Sequence, residues 1–424
     1  MIAYMDNSDI IVVGGGAAGL MAAGQAARAG ARVLVLEKMD YPGRKLGITG
    51  KGRCNLTNTA PIDEFLRRFG AGGAFVRHSL AAFDNNALID FFSGLDIELK
   101  KERGGRVFPA SVRAPRVARA LRAWCESGGA RIVCSSSVTA LCYDNGHITG
   151  VCCGARRVSS RAVIISTGGA SYPLTGSSGD GYHMASDCGH TLVPTRPALI
   201  GLTTREGRSF KGGGLVVRNI NATLLINGRK CAEEFGELHI MDYGLSGPVI
   251  LTLSGMAVDA LQARKKVCVV IDLKPALDRE KLDARLRRDI SKRAGEKLGS
   301  LLRGLLPREL VGACCLQTGL KPGSSVSVIK DRDRKQLLNW FKDFNHTVTG
   351  HRPLSEAIIT AGGVSTREVE ARSMESKLMP GLYFAGEVLD VQADTGGYNL
   401  QAAFSTGRAA GLAAAAACVS SAAE

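Results

Sequence analysis

The chain has 424 residues, 45% of them hydrophobic and 22% charged, with 52 glycines and 13 prolines. At roughly 150 residues per domain this length suggests two to three domains, and a chain this long needs no staples to bury a core. Its ordinary apolar content and modest proline exclude a disordered or collagen-like chain.

The 54 basic and 39 acidic residues leave a formal charge of +15, which raises nucleic acid or an anionic surface as a partner. Residues 264–303 hold 13 basic and 6 acidic side chains, net +7, about half of the excess. They pattern as an amphipathic helix, with Leu282, Leu286 and Ile290 on one face and Arg285, Arg288 and Lys292 on another. A solvated helix face is the plainer account, and docking of an acidic partner or an anionic substrate is the alternative. No aromatic residue interrupts the run, so a stacking platform for single-stranded nucleic acid is not expected.

None of the 12 cysteines stands in a C-x-x-C or at zinc-ligand spacing, and no metal site is expected. The vicinal pairs Cys152, Cys153 and Cys314, Cys315 lie in apolar runs and read as reduced thiols of a cytoplasmic protein. Asp6 and Asp9 stand where a leader would carry Lys or Arg. No uncharged apolar run reaches the roughly 20 residues needed to cross a bilayer, and the alanine-rich stretch 409–417 reads as a packed helix end.

In chain order, Ile10–Val13 is a short β-branched run, the pattern of a buried parallel strand. Gly14, Gly16 and Gly19 follow at G-x-G-x-x-G spacing, and a helical pattern covers residues 17–29 before Gly30. Residues 32–36 form a second strand that ends at Glu37, 18 residues after Gly19. Gly14 allows the tight turn, Gly16 admits a pyrophosphate, and Gly19 lets helix and strand pack closely. The helix N-terminus offers free N–H groups to the phosphates. Glu37 can accept both ribose hydroxyls of an adenosine. Strand, glycines, helix, strand and acid in register predict a dinucleotide site, and the acid suits FAD or NAD better than NADP.

Residues 43–58 show little periodicity and read as a glycine-punctuated loop carrying Arg44, Lys45, Lys51 and Arg53, able to wrap a diphosphate and lie against a flat ring. Residues 130–133 and 137–141 predict strand running to the adenine end. Another buried strand, 162–165, enters the turn Ser166, Thr167, Gly168, Gly169. The stretch 211–214, Lys-Gly-Gly-Gly, reads as a loop rather than a second nucleotide turn. Asn227-Gly228 after an alternating run signals a hairpin. Late in the chain, strand 381–385 leads to Gly386 and Glu387, then to 394–403, which opens a helix containing Gly407. An acid followed by a glycine-opened helix suits a flavin ribityl chain and pyrimidine ring, and the helix N-terminus near Asn399 would stabilise negative charge there.

The motifs G-G-G-A-A-G, G-R-K-L-G-I-T-G-K-G-R-C-N-L-T-N, T-G-G-A-S-Y-P-L-T-G-S-S-G-D-G-Y, G-L-S-G-P, A-G-G-V and G-L-Y-F-A-G-E-V-L-D-V with T-G-G-Y-N-L-Q-A-A span nearly the whole chain. Together they resemble the YhiN-like family of FAD-dependent flavoproteins. The resemblance implies an α/β fold, a glutathione-reductase-type FAD-binding Rossmann domain with an inserted β-rich plus helical domain. Its boundaries are read as 1–190 and 356–424 for the FAD domain and 191–355 for a β-barrel-like and helical substrate domain. Members include 3-dehydro-bile-acid 4,6-reductases and proteins named aminoacetone oxidases. Two departures are Ala393, where the family often has Gly, and Met241-Asp242, in place of a commoner Thr-His before Tyr243.

Carried over by position, the FAD contacts are Gly14, Gly16, Ala17, Ala18 and Gly19 at the pyrophosphate, Glu37 and Lys38 at the ribose, and Arg44, Lys45, Arg53 and Asn55 in the following loop. Val138 meets the adenine, and Thr167 and Gly168 belong to a turn that resembles the second nucleotide-contacting turn of such flavoproteins. Gly386, Glu387, Gly397, Asn399 and Leu400 lie at the flavin end. NADH or NADPH is the expected transient electron donor, since no second dinucleotide motif appears. Enone reduction also needs a proton for the α-carbon, and Tyr398 and Tyr243 are the candidate donors. The expected substrate is small, hydrophobic and anionic, with 3-oxo-4,6-diene bile acids the named candidate. An amine oxidase and a non-catalytic or RNA-associated flavoprotein are the rival classes.

Overall fold

The computed structural model describes residues 8–209 and 214–420; Lys211, Gly212 and Gly213, expected in a loop, lie outside them. The chain forms two compact units, Met1–Pro197 with Leu354–Glu424, and Ala198–Pro353.

The first unit is built on a five-stranded parallel sheet in the order Leu382–Phe384, Ala162–Ile165, Ile10–Val13, Val33–Leu36, Arg131–Val133. The four central and edge strands Ile10–Val13, Val33–Leu36, Ala162–Ile165 and Leu382–Phe384 are buried at every position, which is why they read as continuous apolar runs without alternation. Helix Ala17–Arg28 follows the first strand and packs against helix Tyr398–Ser420. Small residues make that approach possible: a Cβ on Gly407 would stand 2.3 Å from the Ala18 carbonyl oxygen, and one on Gly411 2.2 Å from that of Ala22. The alanine-rich tail is therefore part of a 23-residue helix, longer than the stretch its composition suggested. Residues Tyr398–Val419 are long and apolar enough to cross a membrane, with 56% of that window buried inside the protein, the burial expected of a core helix.

Two further differences from the sequence reading arise near the site. The glycine-rich segment after Glu37 is not irregular throughout, because Arg44–Gly52 is helical until Thr49, where the chain leaves helical geometry and passes through left-handed Gly50 and Lys51. The strand expected from residue 137 begins at Ala140 and joins the meander Ala140–Asp144, His147–Cys153, Arg156–Ser159.

The second unit holds a closed six-stranded barrel, Leu202–Thr204, Gly244–Ser246, Arg229–Met241, Leu215–Ile226, Val267–Asp272, Phe344–His351. Its longest hairpin turns at Asn227 and Gly228, both at positive φ (50° and 78°), the requirement of a two-residue primed turn. The basic stretch 264–303 is helical only in part: Val267–Asp272 is a barrel strand, and Arg279–Lys292 and Leu298–Arg303 are helices, with Arg308–Thr318 a further helix beyond it. Leu282 and Leu286 are fully buried, so the apolar stripe packs and the arginine face stays outside.

Candidate dinucleotide site

Leu36 ends the second strand beside Gly14, whose N–H donates to the Leu36 carbonyl at 2.9 Å. Gly14 takes φ +98°, and a Cβ there would meet the Ser166 carbonyl oxygen at 2.8 Å, so both the turn and the neighbouring strand require glycine. Gly19 is tighter still, with a Cβ placed 2.0 Å from the Gly14 carbonyl oxygen. Gly16 is different: nothing among the described residues lies within 4 Å of its Cβ position. No side chain caps helix Ala17–Arg28 at Gly16, so no side chain satisfies its first N–H groups. Uncapped amides, a positive dipole end and a missing side chain fit a dinucleotide pyrophosphate.

Glu37 is 8% exposed. Its Oε2 accepts from the Gly15 N–H at 2.7 Å and its Oε1 from the Met39 N–H at 2.8 Å. The carboxylate thus braces the glycine turn while each oxygen keeps lone-pair capacity for a ribose hydroxyl. Ser136 N–H donates to the Glu37 carbonyl at 2.9 Å and Ser135 N–H to that of Met39 at 2.8 Å. These bonds bring Val138, 6% exposed, to the same end of the sheet as Glu37. Lys38 is paired with Asp180 at 2.6 Å and also reaches Ser178. Ser166 Oγ donates to the Val13 and Gly14 carbonyls at 3.0 and 2.9 Å, which seats Thr167 and Gly168 behind the turn.

The structure joins segments that lie far apart in sequence. Lys45 Nζ donates to Glu387 Oε2 at 2.7 Å and to Ser171 Oγ at 2.8 Å. Glu387 Oε1 accepts from the Thr360 N–H at 2.8 Å and Ser171 Oγ at 3.1 Å. Lys45 and Glu387 are each 21% exposed, so this ion pair is partly shielded from water. With its side-chain amide turned so that the oxygen faces the Gly397 N–H at 3.1 Å, Asn55 donates to the carbonyls of Thr57 and Val107 at 3.2 and 3.3 Å. Thr57 Oγ1 donates to Gln401 Oε1 at 2.6 Å, and Asn58 Nδ2 to the Gly396 carbonyl at 3.1 Å. The N-L-T-N motif is a clamp on T-G-G-Y-N-L-Q.

Other expected contacts are engaged elsewhere. Arg44 lies over the Tyr41 ring at 4.8 Å and pairs with Asp40 at 3.6 Å. Arg53 pairs with Glu102 and stacks on Phe108 at 4.2 Å. Asn399 closes its own loop, accepting from the Ala393 N–H and donating to the Ala393 carbonyl, both at 2.8 Å. Leu400 is half-buried beside it. Gly386 takes φ +77° and a Cβ there would stand 2.8 Å from that of Ala18, so the turn before Glu387 lies against the first helix. Tyr398 packs edge-on to Phe65 at 4.7 Å, with Arg68 over its ring at 5.9 Å. Burial pushes its phenol up. Arg68 also reaches Asp394 at 3.3 Å, and burial raises that carboxyl above the ordinary range against the pull of the guanidinium. Tyr243 belongs to the barrel unit, where Arg352 stacks on it at 4.8 Å.

Sequence reasoning missed Thr57, Asn58, Arg68, Ser171, Thr360, Asp394 and Gln401. Four of them, Thr57, Asn58, Ser171 and Gln401, sit inside the quoted motifs, but only the fold shows their partners. Cys54 is fully buried and its thiol is pushed up to about 12 by desolvation, a poor nucleophile. His190 is a core histidine, 4% exposed and bonded to Ser376 Oγ at 2.8 Å. Among the described residues no cluster suits a metal ion.

Comparisons with known proteins agree with this geometry. Residues 8–413 match the model of the HI0933-like protein Rossmann domain. A 3-dehydro-bile acid delta(4,6)-reductase of Clostridium scindens is 32% identical over 95% of this chain and 98% of its own length. A ribosomal RNA dihydrouridine synthase of Escherichia coli is 31% identical over 95% of this chain and 96% of its own. The fold resembles that of 3-ketosteroid delta1-dehydrogenase from Sterolibacterium denitrificans, at TM-score 0.54 and 15% identity, covering 97% of this chain and 99% of that one. It also resembles a flavocytochrome c3 fumarate reductase, at TM-score 0.51 and 17% identity over 98% and 79%. The chain belongs to the HI0933-like Rossmann-domain family, and is an FAD-dependent oxidoreductase.

Proposed function

We propose that the protein reduces a carbon–carbon double bond conjugated to a carbonyl, with NADH or NADPH as electron donor. The observation that carries this reading is the clamp of Asn55, Thr57 and Asn58 on Gly396, Gly397 and Gln401, which fixes the helix start expected at the flavin end. FAD bound there supplies hydride transfer at its N5. The chain's residues do the rest. The uncapped helix at Gly16 holds the pyrophosphate, Glu37 the ribose, and the Lys45–Glu387 pair sets the turn at Gly386. Tyr398 is the first candidate proton donor to the α-carbon, although burial raises its phenol and makes it the weaker acid, and Tyr243 is the second.

For the substrate, the first reading is a 3-oxo-4,6-diene bile acid, supported by the relative from Clostridium scindens. A specific observation favours a second reading, uridine in ribosomal RNA, whose saturation is likewise reduction of a bond conjugated to a carbonyl. The barrel unit, Ala198–Pro353, carries 27 basic and 16 acidic residues, +11 of the chain's +15, a charge that suits a phosphate backbone. The relative from Escherichia coli accords with it.

Anaerobic stopped-flow absorbance tests both. The yellow protein is mixed with NADH or NADPH, then with the dienone or with unmodified ribosomal RNA. Bleaching of the flavin band followed by recovery identifies the acceptor. Bleaching without recovery on either overturns both substrates. Absence of bleaching with nicotinamide, and reduction by an amine instead, overturns the reductase in favour of the oxidase.

A further inference from the structure

Cys142 and Cys152 stand on neighbouring strands of the meander in the first unit. The ladder pairs Cys142 with Gly150 and Ala140 with Cys152, so the two cysteines share one face of the sheet as diagonal neighbours. Gly150 presents no side chain opposite Cys142, and Cys152 leans into that gap. The two Sγ atoms are 3.2 Å apart, already in contact. Cys142 is 9% exposed and Cys152 is partly exposed, so a soluble oxidant meets Cys152 first and finds a second sulfur directly behind it. The other cysteine neighbours lack this arrangement. Cys152 and Cys153 are adjacent in one strand and point to opposite faces, Cys314 and Cys315 are buried in a helix, and Cys231 is exposed on the barrel hairpin.

The backbone of Cys152 is also tied to the nucleotide end. Its carbonyl accepts from the Thr139 N–H at 2.8 Å and from Thr139 Oγ1 at 3.2 Å. Thr139 follows Val138, and the same segment is bonded through Ser136 to Glu37. A covalent link at Cys152 would therefore fix the strand that holds the Val138 segment.

We propose that Cys142 and Cys152 are a redox-active pair, closed by hydrogen peroxide into a disulfide that clamps the Val138 segment and slows release of the dinucleotide. Peroxide oxidises the Cys152 thiol to a sulfenic acid and leaves as water. The Cys142 sulfur then attacks that sulfur, an S–S bond forms, and the departing hydroxide takes the Cys142 proton as a second water. Two thiols and one peroxide become one disulfide and two waters, and a dithiol reductant reverses the change. The clamp rests on the FAD reading of Val138; the disulfide does not.

The test uses the FAD-loaded full chain. Peroxide-treated protein is alkylated with iodoacetamide, digested without reductant and mapped by mass spectrometry. The expected product is a Cys142–Cys152 linked peptide, lighter than the reduced pair by two hydrogens, absent from Cys142→Ser and Cys152→Ser and lost on adding dithiothreitol. Alkylation of both cysteines after peroxide, or their linkage to other thiols, overturns the pair. FAD release is then followed by fluorescence for oxidised and reduced protein. Several-fold slower release from the oxidised form, with no difference in Cys142→Ser, supports the clamp. Equal rates overturn the clamp and leave the disulfide standing. A chain that purifies without FAD overturns the nucleotide reading, while the peptide map still decides the pair.

Discussion

Gly397 opens the helix that the N-L-T-N clamp holds, at φ +100° with its Cβ position 2.4 Å from the Thr57 carbonyl oxygen and 2.5 Å from its carbonyl carbon. Gly397→Ala therefore meets two penalties. Left-handed backbone costs a side-chain-bearing residue about 1–3 kcal/mol, and overpacking against a fixed backbone adds about 1–3 kcal/mol. Gly30→Ala separates them. Gly30 has nearly the same φ, +96°, but nothing among the described residues within 4 Å of its Cβ position, so it meets only the first penalty. For a unit of this size each kcal/mol shifts Tm by about 2–4 °C, so Gly397→Ala is expected to melt roughly 2–12 °C below Gly30→Ala. It is also expected to lose FAD during gel filtration that Gly30→Ala survives. Differential scanning fluorimetry with a flavin absorbance ratio checks both. Equal Tm values for the two variants, with equal FAD content, would refute the clamp as a determinant of the site.

The Lys45–Glu387 pair should show coupling: Lys45→Met and Glu387→Gln each strand a partly shielded charge, so the double variant is expected to be more stable than the summed losses by about 1–2 kcal/mol. Strictly additive urea unfolding would dismiss that interaction. In the barrel, burial lowers the His346 imidazole to about 4. The unfolded chain takes up this proton near pH 6.5 and the native chain does not, so stability falls as pH drops between those values, by at most about 3 kcal/mol. Wild type is expected to lose that much more than His346→Gln across the window, and parallel pH profiles would count against it. Cys54, held near 12 by burial, is expected to resist iodoacetamide at about pH 8 while exposed Cys231 reacts; rapid labelling of Cys54 in folded protein would contradict its burial.

The first forty residues were readable because their physics is local. Apolar continuity marks Ile10–Val13 as a buried strand, and glycine spacing marks the turn after it. The Asn227-Gly228 hairpin was legible for the same reason. What the sequence hid is pairing at long range. Nothing in the spacing of Asn55, Thr57 and Asn58 says that their partners are Gly396, Gly397 and Gln401, since periodicity reports which face is buried and not what covers it. The helical turn at Arg44–Ile48 was hidden too, because its glycines and charges imitate a loop. Lys38 was read as a cofactor contact from the family resemblance and Arg53 from the charged loop as well, and only the fold shows Asp180 and Glu102 beside them.

The strand order has a consequence for synthesis. Strand Leu382–Phe384 pairs with Ala162–Ile165, yet more than two hundred residues separate them in the chain. As the chain leaves the ribosome, the sheet must wait with the flank of Ala162–Ile165 open while the whole barrel unit is made. That barrel is continuous in sequence and is free to fold during the delay. A bare, fully apolar strand flank is a template for pairing with other chains. Expression at low temperature or with chaperones should therefore raise the yield of this protein more than its native stability alone would suggest, and truncation before residue 382 should yield aggregates rather than a smaller domain.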